Sequence, residues 1–355
     1  MNKKLVLIIF GVVLVCIMIS LWVLWKHKGI IPTTEETCLS QNNVFVVVYK
    51  GAKPAEVAFK ILSQIIADIL RTNSSGKFNV EYSLCYLELS ELPSELGSKI
   101  KSQFDFFPVF IVRSKNMSNI EIPVVNILFD RYKDYYYISK PNITKYIYIY
   151  LAQYGYQYLN ISGVYATIVT TRKPWVNASL TPVIGSINAR YYIYIYEDVY
   201  CPHCAKMHID VLPYLSKFIE NNTVAIILKN LIVHEEARDI QSYLVALYIN
   251  TRNADLIYSI MKSIYSELLN GLKPSLDYVR GLVLEKIKNE PNLTEYKSLA
   301  ETIISLDSDE AVQYLIIGTP GIIIWDNKSS LGVVIIGFRS ADDIIKVLNN
   351  LNEIQ

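Results

Sequence analysis

The feature that most constrains the fold of this chain is a pair of cysteines between a strand and a helix. Residues 191–196 read YYIYIY, a run of β-forming side chains, and they lead into CPHC at 201–204. From Met207 to Ile219, apolar residues recur every three or four positions, as on the buried face of a helix, and Pro213 should kink that helix. This order predicts an α/β fold with two sulfur atoms at one helix N-terminus.

The spacing of the tetrapeptide has a chemical reason. Unpaired backbone N–H groups and the helix dipole stabilise a thiolate at Cys201. Cys204 lies one helical turn further on, where it can resolve a mixed disulfide formed by Cys201. Pro202 lacks an N–H group that would be unpaired there, and His203 can add positive charge beside the sulfur. These residues predict a thiol–disulfide exchange site with Cys201 as the nucleophile.

Two other uses of the same cysteines have to be weighed. CxxC is half of a zinc site, and His208 could add a third ligand to Cys201 and Cys204. A purely structural disulfide would close so small a ring that it removes little chain entropy. A zinc site would also lie beside a Thr-Pro loop, Thr319 and Pro320, that has no ligating role. The sequence therefore predicts no metal and no cofactor.

Residues 182–355 resemble the DsbA-like disulfide oxidoreductases of the thioredoxin superfamily. The resemblance rests on CPHC, on helices inserted between central strands at 235–317, and on Asp198, an acid shortly before the first cysteine. Thr319 and Pro320 resemble the family's cis-proline loop, which faces the active-site cysteines. Two strands and a helix then follow in the family's order, which implies a thioredoxin-like fold with a helical insertion.

The resemblance also implies a function. The protein would be a thiol–disulfide oxidoreductase, most simply a disulfide-forming oxidase, that acts on cysteines of exported proteins and is recharged by a membrane quinone-linked oxidase. Thr319 and Pro320 would hold substrate backbone beside Cys201. His203 would destabilise the disulfide, and Asp198 would help to move protons. An isomerase or reductase with the same site, or a redox-independent peptide-binding chaperone, is the alternative.

The N-terminal residues predict a membrane anchor. Leu5 to Trp25 are 21 residues without a charge. As a helix they would be about 32 Å long, enough to cross a bilayer core of about 30 Å. A cleaved signal peptide would have a shorter apolar region that ends in small residues, whereas this one ends in Trp25-Lys26. We therefore expect residues 1–28 to cross the cell membrane once.

Asparagine sequons favour an extracytoplasmic body. Eight Asn-x-Ser/Thr sequons lie beyond the anchor, more than chance pairing would give, although Asn and Ser/Thr also co-occur in loops. They begin at Asn73, Asn116, Asn142, Asn160, Asn177, Asn221, Asn292 and Asn327. Outside the cytoplasm the even count of cysteines beyond the anchor is compatible with a bridge between Cys38 and Cys85. The net charge of +1 gives no reason to expect a nucleic-acid partner.

Residues 44–174 predict a second, degenerate thioredoxin-like domain after a polar linker at 29–43. Strand, helix, strand, short helix and strand follow one another, and Pro108 stands at the cis-proline position. Residues 51–54, which read GAKP, fill the CxxC position without a thiol. We expect this domain to be redox-silent and to bind substrate, and an unrelated α/β domain is the alternative. The catalytic domain is expected to span 175–355.

Overall fold

The computed structural model describes residues 35–73, 82–114, 123–133, 136–153, 159–288 and 291–353. They divide into two compact units, the first ending at Ile147 and the second beginning at Tyr148. The predicted anchor, residues 1–28, lies outside the described residues. Among the helices within the described ranges, none is both long and apolar enough to cross a bilayer.

The strands are numbered in chain order. They are β1 (Asn43–Tyr49), β2 (Ser83–Glu88), β3 (Phe106–Phe107), β4 (Val109–Ser114), β5 (Phe129–Tyr132), β6 (Tyr136–Ser139), β7 (Leu159–Ile161), β8 (Val164–Ala166), β9 (Ile168–Thr170), β10 (Val183–Ile184), β11 (Tyr191–Glu197), β12 (Val224–Asn230), β13 (Gly321–Asp326) and β14 (Leu331–Ile336).

The α-helices are numbered in the same way, and short 3₁₀ and π turns lie between some of them. They are α1 (Glu56–Asn73), α2 (Ser94–Gln103), α3 (Pro123–Leu128), α4 (Pro141–Gln153), α5 (Pro202–Lys206), α6 (Ser216–Glu220), α7 (Arg238–Thr251), α8 (Ala254–Leu269), α9 (Leu276–Ile287), α10 (Lys297–Gln313) and α11 (Ala341–Glu353).

The first unit is built on one five-stranded sheet. Its strands follow the order β2-β1-β4-β6-β5, with β1 parallel to β2 and antiparallel to β4. Five consecutive residues of β1 are buried, as in a strand covered on both faces. The Phe107–Pro108 peptide is cis and directly precedes β4. The central sheet expected from the strand–helix–strand order is therefore present, with a cis-proline at the predicted position.

The expected linker at 29–43 is in part an ordered element. Residues Glu35–Ser40 form a 3₁₀ turn, and the buried Cys38 is joined by a disulfide to Cys85 in β2. Their Cα atoms are 6.0 Å apart, within the ordinary range for a bridge. The linker assignment is thus corrected for these residues, because the bridge fastens them to the sheet.

The second unit has the same arrangement of three central strands within a longer sheet. Its strands follow the order β10-β12-β11-β13-β14-β9, with β11 parallel to β12 and antiparallel to β13. All seven residues of β11 are buried. Helices α7 to α10 lie between β12 and β13, as the insertion predicted at 235–317 requires. The Thr319–Pro320 peptide is cis and directly precedes β13.

The boundary expected near residues 174 and 175 is corrected by the sheet pairing. Strand β9 pairs antiparallel with β14, with Val169 opposite Val333. The backbone N–H of Thr167 also donates to the carbonyl oxygen of Val334 at 2.8 Å. These hydrogen bonds place β9 in the second sheet, in agreement with a second unit that begins at Tyr148, upstream of the proline-containing stretch that suggested the joint.

The helix after CPHC is broken, as Pro213 predicts. Helix α5 is followed by a π turn at Met207–Val211 and a 3₁₀ turn at Leu212–Leu215 before α6 begins. A proline in a helix removes one N–H group and clashes with the carbonyl four residues earlier, so regular α geometry stops there. The wide turn places His208 in the interior of the domain.

Candidate active site

Cys201 is the N-cap residue of α5. Its backbone is extended, with φ −82° and ψ 117°, and Pro202 occupies the first turn of the helix. The backbone N–H of Cys204 points at the sulfur of Cys201, with 3.4 Å between N and Sγ. Both thiols are free, and Cys201 is 5% exposed whereas Cys204 is 0% exposed. Both thiols are therefore buried, and only Cys201 keeps a small exposed area.

The cis-proline loop lies against the first thiol because β11 and β13 are neighbours. Tyr196 near the end of β11 is opposite Gly321 at the start of β13. The turn that follows β11 and the loop that precedes β13 therefore lie at the same end of the two strands. The Cys201 Sγ atom lies 3.4 Å from the carbonyl oxygen of Thr319. Thr319 is half-buried and Pro320 is buried. The structure thus brings Cys201, Cys204, Thr319 and Pro320 into one site, as the spacing along the chain alone could not show.

The surroundings of Cys201 favour its thiolate. A hydrogen bond from the Cys204 thiol lowers the pKa of Cys201 most strongly, and the Thr319 side chain and the backbone N–H groups of Cys204 and His203 act in the same direction. Partial burial opposes them, and the net result is a pKa of about 6. A substantial fraction of Cys201 is therefore thiolate at neutral pH, which is the form that attacks a disulfide.

Cys204 has the opposite character. Burial raises the pKa of its thiol well above the usual value, and the neighbouring Cys201 and the carboxyl group of Glu197 raise it further. A buried thiol beside negative charge holds its proton. The reduced pair therefore consists of one ionised nucleophile and one protonated reserve thiol.

A buried group of polar side chains lies near the thiols, and no pattern in the sequence predicted it. The Oε2 atom of Glu197 is 2.6 Å from Nε2 of His208 and accepts a hydrogen bond from the hydroxyl of Tyr265 at 3.1 Å. Glu197 and His208 are both shielded from solvent. Oε1 of Glu197 and Nδ1 of His208 have no hydrogen-bond partner among the described atoms. Glu197 is thus a buried acid close enough to Cys204 for its charge to raise the pKa of that thiol.

Glu197 gave little signal in the sequence for a physical reason. The alternation of inward and outward side chains distinguishes the faces of a strand only when one face is exposed, and β11 is buried throughout. From the sequence, His208 could be a metal ligand together with the two cysteines. It pairs with Glu197 instead, and the described residues contain no group of three or more His, Cys, Asp or Glu side chains arranged to hold a metal ion.

Asp198, the expected proton carrier, faces the loop rather than the thiols. Its carboxyl group accepts backbone N–H groups of Tyr200 at 2.7 Å and of Val233 and His234 at 2.8 Å each. The ring of His234 lies 3.3 Å from the same carboxyl group. Asp198 therefore fastens the segment before Cys201 to the start of the helical insertion. The carboxyl group whose charge raises the pKa of Cys204 is that of the adjacent residue, Glu197.

Pro202 and His203 occupy the outer face of the tetrapeptide. Both side chains are exposed. His203 lowers the pKa of Cys201 through its backbone N–H group. Tyr200, on the other side of Cys201, donates its hydroxyl to the carbonyl oxygen of Pro274 at 2.7 Å and lies beneath the Lys273 ammonium group. The loop between α8 and α9 is thereby attached to the active-site turn.

Comparison with known proteins finds one family and several solved structures. Residues 177–331 match the family model described as thioredoxin. BdbD from Bacillus subtilis in its oxidised form is similar, with TM-score 0.41, 20% identity and alignment over 50% of this chain and 95% of that one. DsbA2 from Pseudomonas aeruginosa has TM-score 0.39 and 22% identity over 52% of this chain and 97% of that one.

A third similar structure is the thiol–disulfide exchange protein α-DsbA2 from Wolbachia pipientis. It has TM-score 0.40 and 15% identity over 48% of this chain and 87% of that one. No curated protein sequence matches the chain. The matched residues 177–331 contain CPHC, the helical insertion and the Thr-Pro loop.

Proposed function

We propose that this chain, whose residues 177–331 form a DsbA-like domain of the thioredoxin superfamily, is a thiol–disulfide oxidoreductase that works through Cys201 and Cys204. The observation that carries the proposal is the contrast between the two thiols at the start of α5. The pKa of Cys201 falls to about 6, whereas that of the buried Cys204 is raised. A low-pKa nucleophile in front of a protonated resolving thiol is what disulfide exchange requires.

The same contrast supports oxidation of substrates as the main direction. Every group that stabilises the Cys201 thiolate stabilises the reduced pair relative to the disulfide, which makes the disulfide a stronger oxidant. A substrate thiolate attacks Sγ of Cys201, the bond between Cys201 and Cys204 breaks, and Cys204 leaves and takes up a proton beside Glu197. A second substrate thiolate then attacks the substrate sulfur, and Cys201 leaves as its stable thiolate. The substrate gains a disulfide and the protein is left reduced.

Thr319 and Pro320 are proposed to hold the substrate. The Thr319 carbonyl lies beside Sγ of Cys201, and β13 starts directly after the cis-proline. A substrate segment laid along this loop in an extended form would place its cysteine at Sγ. Thr319 substitutions should then change substrate release more than thiol ionisation.

We further propose that the protein is held at the cell membrane by residues 5–25, with the catalytic body outside the cytoplasm. The uncharged segment and the sequon excess support this arrangement. The substrates would be exported proteins with cysteines, and a quinone-linked oxidase in the same membrane would restore the Cys201–Cys204 disulfide. An isomerase or reductase using the same thiols is the second candidate, since direction also depends on the recharging partner.

The decisive experiment combines trapping with a redox titration of the full chain. Cys204→Ser should accumulate mixed disulfides with substrate proteins, because attack at Cys201 continues and resolution fails. Cys201→Ser should accumulate none and lose activity, whereas a pure peptide-binding chaperone would keep its function. In glutathione buffers the wild-type pair should be more oxidising than glutathione, and His203→Ala, which keeps the backbone N–H group that acts on Cys201, should change the potential little. A pair as reducing as cytosolic thioredoxin would contradict the oxidase proposal.

A further inference from the structure

The asparagines of the sequons differ in what the folded chain leaves free. Six of them have described side chains, and all six are exposed. They are Asn142, Asn160, Asn177, Asn221, Asn292 and Asn327. Exposure is required for attachment of a glycan, but the sequon also needs a free amide nitrogen and an accessible hydroxyl two residues later. The structure separates the six on these two criteria.

Three sequons satisfy both criteria. In each, the asparagine Oδ1 atom accepts the backbone N–H group of the hydroxyl residue, and the Nδ2 atom donates to no described atom. The pairs are Asn177 with Ser179 at 2.9 Å, Asn221 with Thr223 at 3.0 Å, and Asn292 with Thr294 at 3.1 Å. The hydroxyl residues Ser179 and Thr294 are exposed and Thr223 is half-buried. No hydrogen bond of Nδ2 to a described atom would be lost if a sugar were attached there.

Asn327 fails the first criterion. Its Nδ2 atom donates to the carbonyl oxygen of the buried Ala189 at 2.9 Å. Its Oδ1 atom accepts the Lys173 ammonium group at 2.7 Å. The side chain thus links the turn after β13 to the segment before β11. A glycan on Nδ2 would displace that contact, so the folded protein should lack one.

Asn142 fails the second criterion, whereas Asn160, whose Ser162 is exposed, differs from the three in its turn, because its Oδ1 atom accepts the backbone N–H of Gly163 at 2.7 Å. The hydroxyl of Thr144 is shielded from solvent and donates to the carbonyl oxygen of Lys140 at 2.9 Å. The hydroxyl of Ser162 accepts a hydrogen bond from the side-chain amide of Asn350 at 2.6 Å. In the sequon of Asn142 the hydroxyl that must be recognised is therefore shielded and already engaged.

We propose that Asn177, Asn221 and Asn292 carry N-linked glycans in the native protein. The proposal rests on the extracytoplasmic location proposed above, where a lipid-linked oligosaccharide is the sugar donor. The asparagine Nδ2 forms a bond to the anomeric carbon, and the bond from that carbon to the lipid phosphate breaks. The lipid phosphate leaves, the amide gives up one proton, and no atom is oxidised or reduced.

At least one of these positions leaves the thiol site clear. Asn221 precedes β12, and the backbone N–H of Tyr191 at the start of β11 donates to the carbonyl oxygen of Thr223. Cys201 follows the opposite end of β11. A strand of seven residues separates its ends by roughly 20 Å. A glycan on Asn221 would therefore lie at the end of these strands opposite the CPHC turn, and substrate access would be preserved.

The test is peptide mass spectrometry of the full-length protein purified from the membranes of its own cells. Peptides containing Asn177, Asn221 and Asn292 should carry the glycan mass, and those containing Asn142 and Asn327 should be unmodified. Ser179→Ala should remove the glycan at the first position although the asparagine remains. Thr294→Ser, which keeps the hydroxyl, is the matched control and should retain the glycan at Asn292.

An independent measurement of topology keeps the two proposals distinguishable. In intact cells, reduced Cys201 is labelled with a membrane-impermeant thiol reagent. Labelling of Cys201 with no glycan on the three asparagines would overturn the glycan proposal and leave the location intact. No labelling and no glycan would overturn both. Equal occupancy at Asn327 and Asn177 would show that the free amide does not select the sites.

Discussion

At the scale of single residues, the two thiols differ although they are one helical turn apart. Cys201 receives hydrogen bonds from Cys204, from Thr319 and from backbone N–H groups at the helix start, and its pKa falls to about 6. Cys204 lies within α5 on its buried side, where burial removes water from the sulfur and raises the pKa. The position of a sulfur relative to the helix end thus decides its chemistry.

This contrast predicts the pH dependence of alkylation. In the reduced protein, Cys201 should react with iodoacetamide with a midpoint near pH 6, because its folded pKa is depressed and the thiolate forms above it. Reactivity should be lost as the pH falls below that value. Cys204 should remain unreacted across the neutral range. A midpoint at or above the ordinary value of about 8.5, or faster reaction at Cys204, would contradict the assigned roles.

Glu197 predicts a second effect on the thiols. Removing its charge in Glu197→Gln should lower the pKa of Cys204, because one of the groups that raises it is the carboxylate. Thiolate absorbance followed against pH in a Cys201→Ser background isolates Cys204 for this measurement. Asp198→Asn is the matched control, since that carboxyl group faces backbone N–H groups of the loop. Equal shifts in the two variants would remove Glu197 from the site.

At the scale of elements, a buried ion pair holds the helical insertion to the sheet. The ammonium group of Lys229 on β12 lies 2.8 Å from Asp307 and 3.0 Å from Glu310 on α10, and neither Lys229 nor Asp307 reaches solvent. Asp307 also accepts two hydrogen bonds from Asn230. Burial raises the pKa of Asp307, opposed by Lys229. The pair fixes how α10, which leads into the cis-proline loop, rests on β12.

Breaking this pair should therefore destabilise the second unit strongly. Lys229→Ala leaves the buried Asp307 uncompensated and should cost about 3–5 kcal/mol in the free energy of unfolding. The double variant Lys229→Met with Asp307→Leu should lose less. Arg238→Ala, which removes an exposed ion pair, should cost less than about 1 kcal/mol. Urea denaturation measures all three, and equal losses in Lys229→Ala and Arg238→Ala would refute this explanation.

At the scale of the whole molecule, one topology occurs twice with different chemistry. Both units place a strand, a helix, a parallel strand and then a cis-proline before an antiparallel strand. After β1 the chain reads GAKP at 51–54, whereas after β11 it reads CPHC at 201–204. The cysteines of the first unit lie elsewhere, in the bridge between Cys38 and Cys85. The first unit therefore has no cysteine at the position where the second unit carries CPHC.

The bridge predicts a difference between the units. Replacing Cys38 and Cys85 by serine should destabilise the first unit by about 4 kcal/mol in the chain-entropy model, since the residues are 47 apart along the chain. Oxidoreductase activity and trapping at Cys201 should be unchanged. Cys201→Ser with Cys204→Ser is the complementary control, expected to abolish activity with little effect on the first unit. Loss of substrate oxidation in the Cys38 and Cys85 variant would assign that bridge a redox role.

Those parts of this protein that depend on local order along the chain could be predicted from its residues. CPHC between a strand and a helix identified the thiols, and the family match over 177–331 agrees with the fold inferred there. Pro213 predicted the break in the helix that follows CPHC. These features are legible because each depends on residues within a few positions of one another.

The tertiary structure decided what depends on which side chains face each other. Glu197 and Asp198 are adjacent acids, and only the packing shows that one meets His208 and Tyr265 while the other binds a loop. The pairing of β9 with β14, which is far away in the chain, places β9 in the second unit, and that unit begins at Tyr148. Strands buried on both faces carry no alternation, and long-range pairing has no local signature, so neither could be inferred from the residues alone.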